Sequence, residues 1–253
     1  MLIFRGIHHR ALAASAGCAL TIGNFDGVHR GHQAMLALLT NEARHRGVPS
    51  CVLTFEPHPR DFFAARARRP ELAPPRIATL RDKLAELRRC GIDRTVVLRF
   101  DERLASLSPE AFVDEVLVRG LKAKVVLVGD DFRYGARRAG DYATLDAAGA
   151  RHGFDVARMM SYEVHGLRVS SSAVREALDA GDLEHAERLL GRPYCISGRV
   201  IHGEKLGRKL GYATANIQLK RLKAPLSGIF VVAVDGIAER PLEGVASLGV
   251  RPT

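Results

Sequence analysis

From Cys18 onward the chain alternates short apolar runs with amphipathic stretches. Cys18-Ala-Leu-Thr-Ile22 is continuously apolar and runs into the turn-rich pentad Gly-Asn-Phe-Asp-Gly, which predicts a strand ending in a tight turn. Apolar positions at Ala34, Leu38 and Leu39 predict the buried face of a helix over residues 31–46 that stops before Gly47. Residues 50–55 read as a second strand. Thr79 reads as the N-cap of a helix ending at Gly91, and residues 95–98 as a third strand. Ser108-Pro109 supplies an N-cap and a proline at the first helical position, so a helix is expected as far as Arg119. Lys124-Val-Val-Leu-Val128 is apolar enough to be a strand covered on both faces. A helix over residues 142–152 and a fifth strand over residues 154–159 complete the series.

Strands alternating with helices imply a mostly parallel sheet with helices on both faces. In such folds ligands bind beyond the carboxyl ends of the strands, where the strand order reverses. The pattern changes after Leu190. Gly191-Arg-Pro193 punctuates the chain, and strand-like runs follow over residues 194–200, 228–234 and 245–249 with no helical period between them. Two domains are expected, residues 1–187 being α/β and residues 188–253 all-β, in a Greek-key or barrel arrangement.

With 253 residues, 47% of them hydrophobic and 26% charged, the chain has the composition of an ordinary globular protein. The formal charge of +10 and a pI near 9.9 favour anionic partners such as nucleotides. Arginine far outnumbers lysine, however, and no block of five or six like charges occurs, the densest cluster being Arg66-Ala-Arg-Arg69, expected in a solvated loop. Neither nucleic acid nor membrane is an expected partner, and oligomeric state is not legible. Cys18, Cys51, Cys90 and Cys195 show no Cys-x-x-Cys spacing, which fits free thiols in a reducing cytoplasm. Basic residues ahead of Ala-Leu-Ala-Ala-Ser-Ala-Gly-Cys18 superficially resemble a signal segment. The apolar run is short, and cleavage there would destroy the first core strand.

The sharpest chemical signal is Gly23-Asn-Phe-Asp-Gly-Val-His29-Arg-Gly-His32, between the first strand and the first helix. Two histidines three apart at a helix start lie beside unpaired N–H groups and the positive end of the dipole, a ready phosphate site. Gly31 allows close approach to the backbone. A turn with surface histidines, or half of a metal site, are the other readings; a metal would want further ligands at fixed spacing, and none is nearby.

The segment resembles the His-x-Gly-His signature of the nucleotidyltransferase superfamily. The longer string is similar to the N-terminal module of bacterial bifunctional riboflavin kinase/FAD synthetases. That resemblance implies a Rossmann-like domain in which His29 and His32 contact the ATP phosphates and the Gly23–Asn24 turn lies against the nucleotide. Three further strings match in family order. Phe55-Glu-Pro-His-Pro59 resembles the flavin-side loop, so Phe55, Pro57, His58 and Pro59 are implied flavin contacts, with the prolines holding a rigid turn that presents His58. Gly129-Asp-Asp-Phe-Arg-Tyr-Gly135 resembles the family's next loop and brings Asp131 to the nucleotide. Ser170-Ser-Ser-Ala-Val-Arg175 resembles Ser-Ser-Thr-x-Val-Arg, with Ser172 in place of threonine. Hydroxyls at Ser170, Ser171 and Ser172 and the fork of Arg175 suit a triphosphate, although simple N-capping by serine explains the serines equally well.

The implied activity is transfer of AMP from ATP to FMN, giving FAD and pyrophosphate. FMN carries an ionised phosphate, so attack on the α-phosphorus needs no strong base. It needs in-line positioning and neutralisation of charge spreading onto pyrophosphate. His29, His32, Arg175, the helix N-terminus and Mg²⁺ would supply that. Residues 198–216 resemble the start of a riboflavin kinase module. Gly207 and Gly211 can bring N–H groups around phosphates, and by likeness Thr214 and Asn216 hold Mg²⁺ with ATP, with riboflavin as acceptor. Ala213 stands where the family usually has proline. The family's Gly-x-Arg-Pro-Thr, here Gly249-Val-Arg-Pro-Thr253, is normally followed by further strands, a glutamate base and a helix. The kinase module is therefore expected to be partial in these residues and to make little FMN. The alternatives are a nucleotidyltransferase with a non-flavin acceptor, or a flavin- or nucleotide-binding module without turnover.

Overall fold

A computed structural model describes residues 1–160, 162–164, 167–202, 214–219 and 223–249. Its centre is one sheet of six strands: β1 (Leu2–Arg5), β2 (Cys18–Ile22), β3 (Ser50–Glu56), β4 (Arg94–Arg99), β5 (Ala123–Gly129) and β6 (Asp155–Met159). Their order is β1-β4-β3-β2-β5-β6 and every pairing is parallel. Crossovers from β2 lead first through β3 to β4, and then to the other side through β5 and β6. The order therefore reverses between β2 and β5, and it is at the carboxyl ends of strands at such a reversal that sheets of this kind take their ligands.

Nine α-helices connect the described strands: α1 (Arg10–Ala13), α2 (Arg30–His45), α3 (Pro59–Arg66), α4 (Leu80–Arg89), α5 (Glu102–Ser106), α6 (Pro109–Phe112), α7 (Tyr142–His152), α8 (Ser171–Asp179) and α9 (Leu183–Leu190). All five residues of β2 are buried, because alternate side chains serve opposite cores. Leu20, Cys51, Val96 and Val126 join Phe112, Leu117 and Leu145 on one face. Ala19, Val52 and Val125 join Leu36 and Leu39 of α2 and Leu87 of α4 on the other. A third cluster packs α8 against α9 through Val174, Leu178, Ala186, Leu189 and Leu190, and includes Ile77 from the segment before α4.

Most of the expected strands and helices lie where the pattern put them, but the strand expected over residues 194–200 begins only at Arg199. The face of α2 is Leu36, Leu39 and Ala43; Leu38 is 49% exposed, and Ala34 is only partly covered. The helix opened by Ser108 is α-helical only to Phe112 and continues as a π-helix over Val113–Gly120. Arg66 ends helix α3 instead of sitting in a loop. Strand β1, an edge strand with only Phe4 buried, and helices α1, α3, α5 and α9 were not foreseen. Helix α9 passes through the expected division at 187/188 and stops at Gly191, whose φ of 74° forms a left-handed cap.

After Gly191 the described residues form antiparallel pairs, β9 (Arg199–Ile201) with β10 (Asn216–Gln218) and β11 (Gly228–Val234) with β12 (Leu242–Leu248). A two-residue pair, β7 (Glu163–Val164) with β8 (Leu167–Arg168), precedes α8. An α/β domain followed by an all-β region is thus the observed order. No helix among the described residues is long and apolar enough to cross a membrane.

Candidate active site

The turn from β2 to α2 is compressed. Phe25, Gly27 and Val28 have φ of 48°, 84° and 42°, conformations that two of them, as L-residues with side chains, rarely adopt. Such strain at a strand's carboxyl end persists only where the surroundings hold it. Gly23 lets the Phe25 ring close on the backbone, and Gly31 lets the His29 ring and the Val169 carbonyl approach α2, a Cβ at either meeting atoms at 3.1–3.3 Å. Gly31 thus serves the chain's own packing before any ligand's.

His29 is the N-cap of α2: its Nδ1 accepts from His32 N–H at 3.3 Å. That assigns the proton of the neutral ring to Nε2. The two imidazoles stack with centroids 3.6 Å apart. Burial lowers the His29 pKa to about 4, with Arg175 and Arg192 adding to the effect and Asp26 opposing it. Burial, and then the charges of His29 and Lys83, take His32 well below its ordinary value, and its buried Nδ1 has no hydrogen-bond partner. The pair is therefore neutral at physiological pH in the absence of ligand. It becomes a source of positive charge only when an anion offsets the burial.

Asp26, a residue the sequence reading passed over inside its own motif, holds this turn. Its side chain is 1% exposed and accepts from Ile77 N–H at 3.2 Å, Ala78 N–H at 3.1 Å and Arg175 Nη2 at 2.7 Å, with Arg76 Nε at 3.9 Å. Burial works to raise its pKa, but Arg76, Arg175 and the hydrogen bonds outweigh it and keep the carboxylate ionised. The Asp26 carbonyl accepts from Ser171 Oγ at 2.9 Å. The turn, the segment before α4 and the start of α8 are thus tied at one residue.

The 170–175 motif makes its contacts within the chain. Arg175 directs Nη2 to Asp26 and Nε to the Pro75 carbonyl at 2.8 Å, so in this structure its fork is engaged within the chain. Ser170 caps α8, accepting from Ala173 N–H at 3.1 Å, and Ser171 bonds Asp26, while Ser172 is exposed. Arg192, just past α9, adds a further clasp by donating to the Gly27 carbonyl at 2.7 Å.

At the end of β3, the Glu56–Pro57 peptide is cis and Pro59 opens α3. His58 is not presented outward as expected. It caps α3 by accepting from Arg60 N–H at 3.1 Å and is 4% exposed, and burial first, then Arg76, takes its pKa to about 3. Pro57 is exposed. What the strand end presents is aromatic: Phe55, Phe62 and Phe63 each contact Phe100 edge-on at 5.4–5.8 Å, and Phe63 is 46% exposed. Arg76 bonds Asp61 at 2.9 Å and approaches Glu56 at 3.6 Å.

On the neighbouring strand, β5 ends in Gly129, and Asp131 lies exposed beyond it, 2.9 Å from Arg168 Nη2. Arg168, two residues before Ser170, was not anticipated; its guanidinium also stands 3.6 Å from Asp130. In the second region Thr214 and Asn216 are exposed, Asn216 opening β10, whereas Gly207 and Gly211 lie outside the described residues. No group of three or more His, Cys, Asp or Glu side chains suited to a metal occurs among the described residues. The hydroxyl of Thr214 and amide oxygen of Asn216 are hard donors of the kind Mg²⁺ takes, alongside phosphate oxygens and water.

A family model described as FAD synthetase matches residues 12–173, and one described as riboflavin kinase matches residues 190–253. The chain is 52% identical over 253 residues to the bifunctional riboflavin kinase/FMN adenylyltransferase of Pseudomonas fluorescens and 48% identical to that of Escherichia coli K12. Both alignments cover 100% of this chain and 79% of the relative. The protein of the same name from Haemophilus influenzae is 44% identical and covered to 80%. A crystal structure described as a macrolide-efflux protein from Streptococcus pneumoniae superposes with a TM-score of 0.80 at 27% identity, covering all of this chain and 80% of that one. The first match takes in the turn, the aromatic strand end, the Asp131 loop and the start of α8; with the second match and with relatives 44–52% identical over the full chain, it shows that this chain belongs to the bifunctional riboflavin kinase/FMN adenylyltransferase family.

Proposed function

We propose that residues 1–187 transfer AMP from ATP to FMN, releasing pyrophosphate and forming FAD, and that residues 188–253 belong to a module for phosphorylating riboflavin with ATP. The observation that carries the first part is the strained β2–α2 turn at the reversal of strand order, with two stacked neutral histidines on a helix N-terminus. Polyphosphate binding there receives N–H groups and the His29 Nε2–H, and the arriving negative charge raises both imidazole pKa values toward protonation. Charge building on pyrophosphate as the α-phosphorus–oxygen bond breaks is then met by protons already in place.

Arg175 acts in this reading either by leaving Asp26 for a phosphate or by holding the turn for the histidines. Its present bonds favour the second, with Gly23, Asn24 and Gly31 shaping the nucleotide's bed. Asp131 and Arg168 border the nucleotide from the β5 side. The Phe55, Phe62, Phe63 and Phe100 group offers ring edges and one exposed face to the isoalloxazine of FMN, with Pro57 and Pro59 beside it. Mg²⁺, when bound, neutralises phosphate charge; Thr214 and Asn216 would hold it in the second module.

The acceptor is the point on which rival readings differ. With radiolabelled ATP and a panel of FMN, nicotinate mononucleotide and phosphopantetheine, this reading expects pyrophosphate release with FMN alone. Release with another acceptor and none with FMN would overturn it, as would tight FMN binding with no release from any.

A further inference from the structure

Beneath the site lies a buried cation that none of these steps uses. Lys83 is on the inward face of α4, four residues before Leu87, and both side chains are fully buried. Its Nζ donates to Thr54 Oγ1 at 3.3 Å, and Thr54 Oγ1 donates in turn to the Asn24 carbonyl at 3.3 Å. An ammonium from α4, a hydroxyl from β3 and the carbonyl next to the strained Phe25 thus form one chain of hydrogen bonds. Charged groups face the ammonium from every neighbouring element: Arg76 from the segment before α4, Glu56 from the end of β3, Asp26 from the turn and Asp61 from α3. Its own charge acts on His32 of α2 and on His58 at the start of α3. An apolar side chain of similar length would seal the position without the desolvation cost of an ammonium.

We infer that Lys83 is a positioning residue for adenylyl transfer: it holds the Asn24 carbonyl, and with it the strained turn, through Thr54, and it sets a positive charge behind the histidines of the site. The inference rests on the function proposed above. Burial first, then Arg76, lowers the Lys83 pKa to about 8, against the pull of Glu56, Asp26 and Asp61. The charged form is the one that acts, so turnover falls as pH rises through that value.

The test compares the wild-type chain with K83M and K83Q. FAD formation is followed across neutral and alkaline pH, and the histidine imidazoles are titrated by NMR. K83M is expected to lose roughly tenfold or more in kcat, with KM for FMN little changed, because a displaced reacting geometry costs turnover more than binding. It should also lack the fall in kcat above about pH 8, and its His32 should titrate at higher pH than in the wild type. K83Q, which keeps a donor for Thr54 without the charge, should regain part of kcat but not the alkaline limb. Wild-type kcat in K83M overturns the inference. So does a loss of kcat with the alkaline limb and histidine titrations unmoved, which would reduce Lys83 to a packing role. If the wild type itself forms no FAD, the proposed function fails instead, and the His32 titration judges the electrostatic half alone.

Discussion

His29 spends its Nδ1 on capping α2 and keeps its proton on Nε2, so one side chain both starts the helix and faces the substrate with a donor. Replacing it is expected to touch both roles unequally. His29→Ala should cost about 1 kcal/mol of stability through the lost cap, while FAD formation falls roughly tenfold or more, at least 1.4 kcal/mol in the barrier. His32→Ala should show the rate effect without the cap effect; stopped turnover assays beside thermal melts separate the two. Buried histidines also govern pH dependence. His29 at about 4 and His58 at about 3 bind protons less readily folded than unfolded, where the ordinary value is 6.5. The unfolded chain therefore holds more protons below pH 6.5, and stability is full above that pH and falls as the medium is acidified towards 4. His29 alone accounts for about 3 kcal/mol of that loss, its shift being from 6.5 to about 4. Denaturant titrations between about pH 7 and 4.5 should show it, and a flat profile would contradict the buried, neutral pair. None of this was legible in the motif, which names the histidines but says nothing of their burial or of the groups around them.

At the scale of elements, Asp26 is where three pieces of chain meet: the β2–α2 turn, the 75–79 segment and the start of α8. Asp26→Asn leaves Arg175 and Arg76 beside an uncharged partner and is expected to lower stability by about 3–5 kcal/mol, the cost of breaking a buried ion pair. Urea unfolding of the variant checks it, and a loss below about 1 kcal/mol would mean the turn holds without the carboxylate. The helices themselves were largely readable. Thr79 caps α4 with a full capping box, Tyr142–His152 is a helix at the expected residues, and β3, β4 and β5 contain their expected cores. What escaped was decided by tertiary contact. Strand β1 shows one buried side chain in four residues, too little for an alternation. The π-helical stretch at Val113–Gly120 has the same apolar spacing as an α-helix. Lys83 stands four residues before Leu87, where the helical period points inward, although lysine as a residue type belongs to the surface.

On the scale of the whole molecule, strand order places the turn of β2 between the Asp131 loop of β5 on one side and the aromatic end of β3 on the other. The alternation of apolar runs was enough to foresee a parallel sheet and a change of class after Leu190, and the motif order was enough to foresee the family. It was not enough to foresee that Arg175 and His58 would face inward, because burial of a polar side chain depends on partners such as Asp26 and Arg60 N–H that only the folded chain brings near. Together these strand ends form the arrangement that joins AMP to FMN. The direct measurement incubates the purified chain with ATP, Mg²⁺ and FMN and separates the flavins by chromatography. FAD should accumulate with an equal amount of pyrophosphate, and the His29→Ala chain should form it far more slowly. Unchanged FMN in a folded sample that binds ATP would contradict the account.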